Sequence, residues 1–278
     1  MALYAFDGTW NEDETGEGKD TNVTKFYNAF QGPKFYLKGV GTRLGFIGKI
    51  LGGVAGAGGW LRIKEAMDEL EKNVNTGDKT VDIIGFSRGA ALALHFANEV
   101  EAEAPGAKIR FLGLWDVVAS FGLPGNDINI GWDLKLANKV EHCYHAMALD
   151  ERRGNFKSTR VTPAKKGEAT AGRLEEVWFR GVHSDVGGGM SIGLSTIALC
   201  WMMHRAIACG LPIAQAELQR YETMRDPDAS ISKNLDPVLD PMRKIEPTDN
   251  IHESVQPRGK KDGREHNDPP PSLSVVSD

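Results

Sequence analysis

Apolar residues in this chain gather in short runs of strand length, and between them lie longer amphipathic or alanine-rich stretches. Leu3 to Phe6 is the first run and ends at Asp7-Gly8-Thr9-Trp10-Asn11. The acidic stretch Glu12 to Asp20 is polar and glycine-containing, which predicts an exposed loop. Lys34 to Val40 predicts a second strand, closed by Gly39-Val40-Gly41-Thr42. In Leu44 to Gly59 the glycines disfavour a helix, and too few side chains remain to pack a strand. Helical spacing then runs from Trp60 to Asn73 through Leu61, Lys64, Met67, Asp68 and Leu70.

Thr80 to Ile84 predicts a strand leading straight into a turn at Ser87, and Ala90 to Val100 a helix rich in alanine and leucine. Ile109 to Trp115 is nearly continuous in apolar residues, as a strand covered on both faces would be. Further strands are expected within Lys139–Leu149 and Glu176–Arg180, and a buried helix over Ser191–Cys209, ended by Gly210 and Pro212. Strands alternating with helices point to the α/β class: a three-layer sandwich around a mostly parallel central sheet. Residues 1–245 read as one folded unit. From Glu246 to residue 278 the composition turns polar, charged and proline-rich, ending in Asp268-Pro-Pro-Pro271, so this tail is expected to be disordered, draped on the surface or a docking peptide.

A formal net charge of −5 gives no general attraction for nucleic acid. Three cysteines, Cys143, Cys200 and Cys209, match no metal-binding spacing and cannot all pair, so buried reduced thiols are expected. The amino terminus opens as a strand, not as a signal peptide, so the protein is expected to be cytoplasmic as made and, if exported, to leave without a cleaved signal. No cofactor or metal is expected.

The chemistry centres on Gly85-Phe86-Ser87-Arg88-Gly89, a G-x-S-x-G pattern with an apolar strand before it and a small-residue helix after it. Such a turn lifts a serine hydroxyl above the sheet edge, and the flanking glycines remove side chains that would collide. A serine needs a base, and the base an orienting acid, in the order serine, acid, histidine. Asp116 ends the apolar strand Phe111–Trp115 and fits the acid, although a carboxylate there could equally cap the following turn; Asp150 is the second choice. Of seven histidines, His183 follows the strand Val177–Phe179 and sits among glycines, which favours it over His142 and His145. Asp185 reads as a supporting carboxylate or the cap of the helix near Ser191. The N–H of Arg88 is expected to bind an oxyanion, with Gly8 or Thr9 supplying a second donor.

Asp7-Gly-Thr-Trp-Asn11, Gly39-Val-Gly-Thr42, Gly85-Phe-Ser-Arg-Gly-Ala90, Leu114-Trp-Asp-Val117, His145 to Arg152 and Trp178 to Gly189 together resemble the type VI secretion phospholipase effectors and their uncharacterised relatives. That resemblance implies an α/β-hydrolase fold with Ser87, Asp116 and His183 as the triad. It also implies hydrolysis of lipid or phospholipid acyl esters through an acyl-enzyme. Expected partners are a lipid or small ester substrate, a membrane surface met transiently, and an immunity or secretion-apparatus protein. Two other classes stay open at this point. One is a metal-dependent phosphohydrolase using Asp7, His183 and Asp185; the other is a silent hydrolase fold that only binds. Leu44–Gly59 is either a mobile lid or a packed glycine loop.

Overall fold

A computed structural model describes residues 1–8, 20–39, 54–119, 131–163, 170, 172–233, 241–261 and 264–278. Eight strands form one sheet: β1 (Ala2–Phe6), β2 (Lys34–Leu37), β3 (Thr80–Phe86), β4 (Lys108–Trp115), β6 (Val140–Ala148), β8 (Leu174–Phe179), β9 (Asn250–His252) and β12 (Ser274–Val276). Two small pairs stand apart, β5 (Lys135–Leu136) with β7 (Thr162–Pro163), and β10 (Lys260–Lys261) with β11 (Arg264–Glu265). The sheet order is β12-β9-β8-β6-β4-β3-β1-β2, and every pairing in it is parallel. The α/β class with a parallel central sheet is thereby established.

Parallel strands need crossovers, and the crossovers bury both faces of the sheet. Side chains alternate between the two faces, so β1 sends Tyr4 and Phe6 to one layer and Leu3 and Ala5 to the other. Helices α2 (Val54–Asn75) and α3 (Arg88–Glu103) cover the first face through Ile63, Ala66, Leu70 and the run Ala90–Leu94. On the second face lie α1 (Asn22–Ala29), α5 (Ile192–Ala208) and α6 (Gln215–Glu222), with Phe26, Trp201 and Met202 packed on Phe111 and Trp115. The short α4 (His183–Gly187) follows β8. No helix among the described residues is long and apolar enough to cross a membrane.

Several expectations change. Helix α2 begins at Val54, inside the segment expected to resist a helix; the packed run after Trp60 outweighs the glycine penalty at its start. The rest of the supposed lid, residues 44–53, lies outside the described residues. Two helices that the apolar pattern does not announce, α1 and α6, are present; α1 is capped by Thr21, whose Oγ1 accepts from the Thr24 N–H at 3.1 Å.

The largest correction concerns residues 246–278. They are not a loose tail: β9 and β12 extend the main sheet beyond β8, and Ile251, Val255 and Leu273 close a third apolar cluster with Met147, Leu149 and Trp178. Polar content hid this because each strand is only three residues long and uses one or two apolar side chains.

From β1 the chain first crosses to β2, then returns to the other side of β1 with β3 and continues outward. The direction of winding therefore reverses between β1 and β3, and in open parallel sheets ligands bind at the carboxyl ends of the strands flanking such a switch. At that edge β3 passes into α3 through Ser87, held at φ 60°. The turn works only because backbone lies against backbone. A Cβ on Gly85 would stand 2.7 Å from the Ala90 Cα, and one on Gly89 would stand 2.3 Å from the Phe6 carbonyl oxygen.

Gly89→Ala is expected to destabilise the protein by more than about 2 kcal/mol, since neither backbone partner can yield. Gly106→Ala, whose Cβ would come no nearer than 3.9 Å to the end of Lys79, is expected to stay within about 0.5 kcal/mol of wild type in the same urea titration. Ile251→Ala should cost about 2–4 kcal/mol, the value for a packed core residue; a change under about 0.5 kcal/mol would mean β9 does not belong to the core.

Candidate active site

The register of the sheet sets the site. Phe86 pairs with Trp115, Trp115 with Ala146, and Ala148 with Phe179, so the residues just beyond β3, β4, β6 and β8 emerge at one edge. These are Ser87, Asp116, the Leu149-Asp150-Glu151 run and the Arg180–His183 run; Asp7 and Gly8 leave β1 beside them. Two backbone bonds tie the serine turn to the β4 end: Ser87 N–H donates to the Trp115 carbonyl (3.0 Å), and Val118 N–H to the Ser87 carbonyl (3.2 Å).

Asp116 and Ser87 are the two described non-glycine residues with positive φ. Such conformations are strained and persist where the surroundings over-determine them. The Asp116 side chain is 0% exposed. Its Oδ2 accepts from His183 Nδ1 at 2.6 Å and from Arg243 Nη2 at 3.1 Å. Its Oδ1 accepts from Arg243 Nη1 at 2.6 Å and from the Ala148 N–H at 3.0 Å. Burial would push this carboxyl up, but the Arg243 cation and the two hydrogen-bonding side chains outweigh it and hold it well below the ordinary carboxylate range.

The His183 ring lies between two phenyl rings. Phe86, next to the serine, stacks on it at 4.5 Å between centroids, and Phe156 meets it edge-on at 4.8 Å. A Cβ on Gly187 would collide with Phe86 at 1.9 Å, so α4 approaches the serine turn this closely only through a glycine. The His183 N–H donates to Glu151 Oε2 at 3.1 Å, and Arg153 pairs with the same carboxylate at 2.8 Å. With Nδ1 committed to Asp116, the outer nitrogen Nε2 is left for proton traffic; neither it nor Ser87 Oγ has a hydrogen-bond partner among the described residues. Contacts between nucleophile and base are often open before substrate arrives.

The remaining sequence-derived residues separate into other roles. Gly8 lies against the serine, where an added Cβ would meet Ser87 Cβ at 3.4 Å, but its N–H donates to Asp7 Oδ1 at 2.6 Å. In this structure that amide is therefore not turned toward an oxyanion, and Thr9 lies outside the described residues. Asp7 also accepts from Thr21 (2.8 Å), Thr24 (3.2 Å) and Tyr36, pinning β1 to α1 and β2. Asp150 does not approach the imidazole as an alternative acid; it forms an ion pair with Arg180 (3.1 Å) and accepts from the Gly181 N–H (2.8 Å). Asp185 does not cap α5 either. It accepts from the Val182 N–H of its own short helix (3.0 Å) and from Ser232 Oγ (2.5 Å), and burial pushes its carboxyl up. Asp7, His183 and Asp185 thus face three different partners and do not converge as a metal would require.

Arg88 opens α3 directly after the serine. Its half-buried guanidinium has no acidic partner among the described residues, and burial pushes it down to about 10. His145, weighed from the sequence only as a rival base, takes another part, and Arg243 escaped the sequence reading altogether. His145 Nε2 accepts from the Val117 N–H at 3.2 Å, steadying the backbone beside Asp116, while its Nδ1 meets Glu176 at 2.9 Å. Arg243 comes from the segment before β9, where nothing local marks it out.

None of the curated proteins matches the chain. Several solved structures share its fold, two of which follow. One, described as an uncharacterized protein from Pseudomonas aeruginosa, is 22% identical with a TM-score of 0.54 and covers 80% of this chain and 48% of its own. The other is the Tle1 effector bound to the VgrG spike from the type 6 secretion system, 24% identical with a TM-score of 0.50, covering 69% of this chain and 51% of its own. The chain thus spans about half the length of each. The family model for the catalytic domain of type VI secretion, Tle1-like phospholipase effectors matches residues 3–102 and 93–205, well over half of the sequence, and the chain belongs to that family.

Proposed function

We propose that this protein is a serine hydrolase that cleaves acyl esters of lipids, phospholipids foremost, through an acyl-enzyme on Ser87. The observation that carries this reading is the buried His183–Asp116 contact of 2.6 Å on the same sheet edge as the strained Ser87 turn. Asp116 fixes the ring so that Nε2 is the free base. Nε2 takes the Ser87 proton as Oγ attacks the ester carbonyl, and the protonated ring then gives that proton to the departing alcohol. A water, deprotonated by the same nitrogen, releases the acid. The Arg88 N–H, first in its helix, is the donor that stabilises the oxyanion on this reading.

The phospholipid preference rests on family membership and on Arg88. A half-buried cation that no carboxylate among the described residues matches is suited to the phosphate of a lipid that presents its acyl ester to Ser87. The likeness to an effector bound to a secretion spike extends the reading to a secretion-apparatus partner.

Ser87→Ala and His183→Ala are each expected to lower kcat for short p-nitrophenyl esters by at least about a thousandfold; the melting temperature should be little changed in Ser87→Ala and lower in His183→Ala, which still folds but takes a donor from buried Asp116. A fluorophosphonate should label wild type at Ser87 alone. Undiminished turnover in purified Ser87→Ala, or loss of activity on EDTA treatment without labelling, would overturn the reading. Arg88→Met should raise KM for an anionic phospholipid about tenfold while leaving a neutral p-nitrophenyl ester within about twofold, measured side by side in mixed micelles.

A further inference from the structure

Arg243 stands outside the serine, histidine and acid on which the acyl-transfer reading is built, yet it makes more contacts with Asp116 than His183 does. Its two terminal nitrogens reach both carboxylate oxygens, at 2.6 and 3.1 Å. The same nitrogens donate to the Ala148 carbonyl at 2.7 Å and the Phe156 carbonyl at 2.5 Å, so the fork is fixed to the β6 end and to the backbone of the residue whose ring flanks His183. Its own backbone is anchored too, because Asn267 donates to the Arg243 carbonyl at 2.9 Å and to the Leu149 carbonyl at 3.0 Å.

A buried carboxylate beside an imidazole strongly favours the imidazolium form. In a site closed to water that preference would leave His183 already protonated and unable to take the serine proton. A cation clamped on the far side of the carboxylate removes most of that pull. Among the described residues, Glu151 is matched by Arg153 and Asp150 by Arg180, while Asp185 is hydrogen-bonded by Ser232. Arg88, beside Ser87, adds a further cation. Arg243 is therefore the group that balances Asp116.

We infer that Arg243 is a positioning residue which clamps Asp116 and cancels its charge, so that His183 stays neutral and able to accept the Ser87 proton at lower pH than an uncompensated acid–imidazole pair would permit. The inference rests on the acyl-transfer reading for its meaning, but its electrostatic content is measurable without turnover. Arg243 is among the residues lining an open cavity of about 440 Å³, with Lys157, Arg160, Trp178 and Lys244, and added guanidinium is offered to the shortened side chain from that cavity.

The experiment titrates the His183 ring by NMR in wild type, Arg243→Gln and Arg243→Lys, alongside the pH dependence of p-nitrophenyl ester hydrolysis. Arg243→Gln is expected to raise the His183 midpoint by about one pH unit and to move the acid limb of kcat/KM upward by the same amount. Arg243→Lys keeps the charge and loses the fork, so its midpoint should stay within about 0.3 of wild type while kcat falls several-fold. If Arg243→Gln does not fold, Arg243→Lys and the partial recovery of Arg243→Ala by millimolar guanidinium carry the test. An unmoved midpoint in folded Arg243→Gln, a shifted one in Arg243→Lys, or no recovery by guanidinium would overturn the proposal. Absence of any esterase activity or Ser87 labelling in wild type would instead overturn the acyl-transfer reading, leaving the titration to judge Arg243 alone.

Discussion

A carboxylate with no exposure to water can remain ionised only where the protein supplies enough donors and positive charge to replace the lost hydration. Asp116 is such a group, and the architecture around it follows from satisfying it. Its four donors come from three places far apart in sequence: the backbone of the last residue of β6, the ring that opens α4, and both arms of Arg243. Removing any one would leave a buried charge partly unmatched. The parallel register is what lets these groups meet, because it delivers the ends of β4, β6 and β8 to one level at one edge.

The serine turn imposes a second demand at the same edge. Ser87 and Asp116 both hold positive φ, and each depends on the other's strand: the Ser87 N–H bonds to Trp115, while Val118 returns a bond to the Ser87 carbonyl. Strain on neighbouring strands is thus shared through short backbone links, with His145 bracing the Val117 amide from behind. Close approach at Gly85, Gly89 and Gly187 completes the fit. Side chains were given up at these positions so that the helices could lie near the serine.

What the sequence disclosed was whatever had a local signature. The Ser87 turn is written in five consecutive residues with a strand before and a helix after. Asp116 is marked by the apolar run it terminates, and His183 by the strand and glycines around it. The alternation of apolar runs likewise gave the class of fold and six of the sheet strands within a few residues. Arg243 carries no such mark: it stands 127 positions from Asp116, among polar residues and prolines, and only the folded chain brings them together. Strands β9 and β12 escaped for a related reason, being three residues long and apolar in only part of that length. Helix α1 hid behind an acidic stretch, because its signal is one threonine cap and a few inward residues. The part played by Gly8 turned on where its amide points, which composition does not record: toward the Asp7 carboxylate.

The anchoring of Arg243 by a segment that threads back into the sheet beyond β8 bears on how the protein is made. While a ribosome is still extending the chain past α6, the nascent polypeptide already contains the serine turn, the aspartate and the histidine. It lacks both the counter-charge and the outer strands that hold that counter-charge in place. Synthesis therefore finishes the site last. On the acyl-transfer reading, the growing polypeptide lacks the charge balance of the finished site until that segment has been translated and docked.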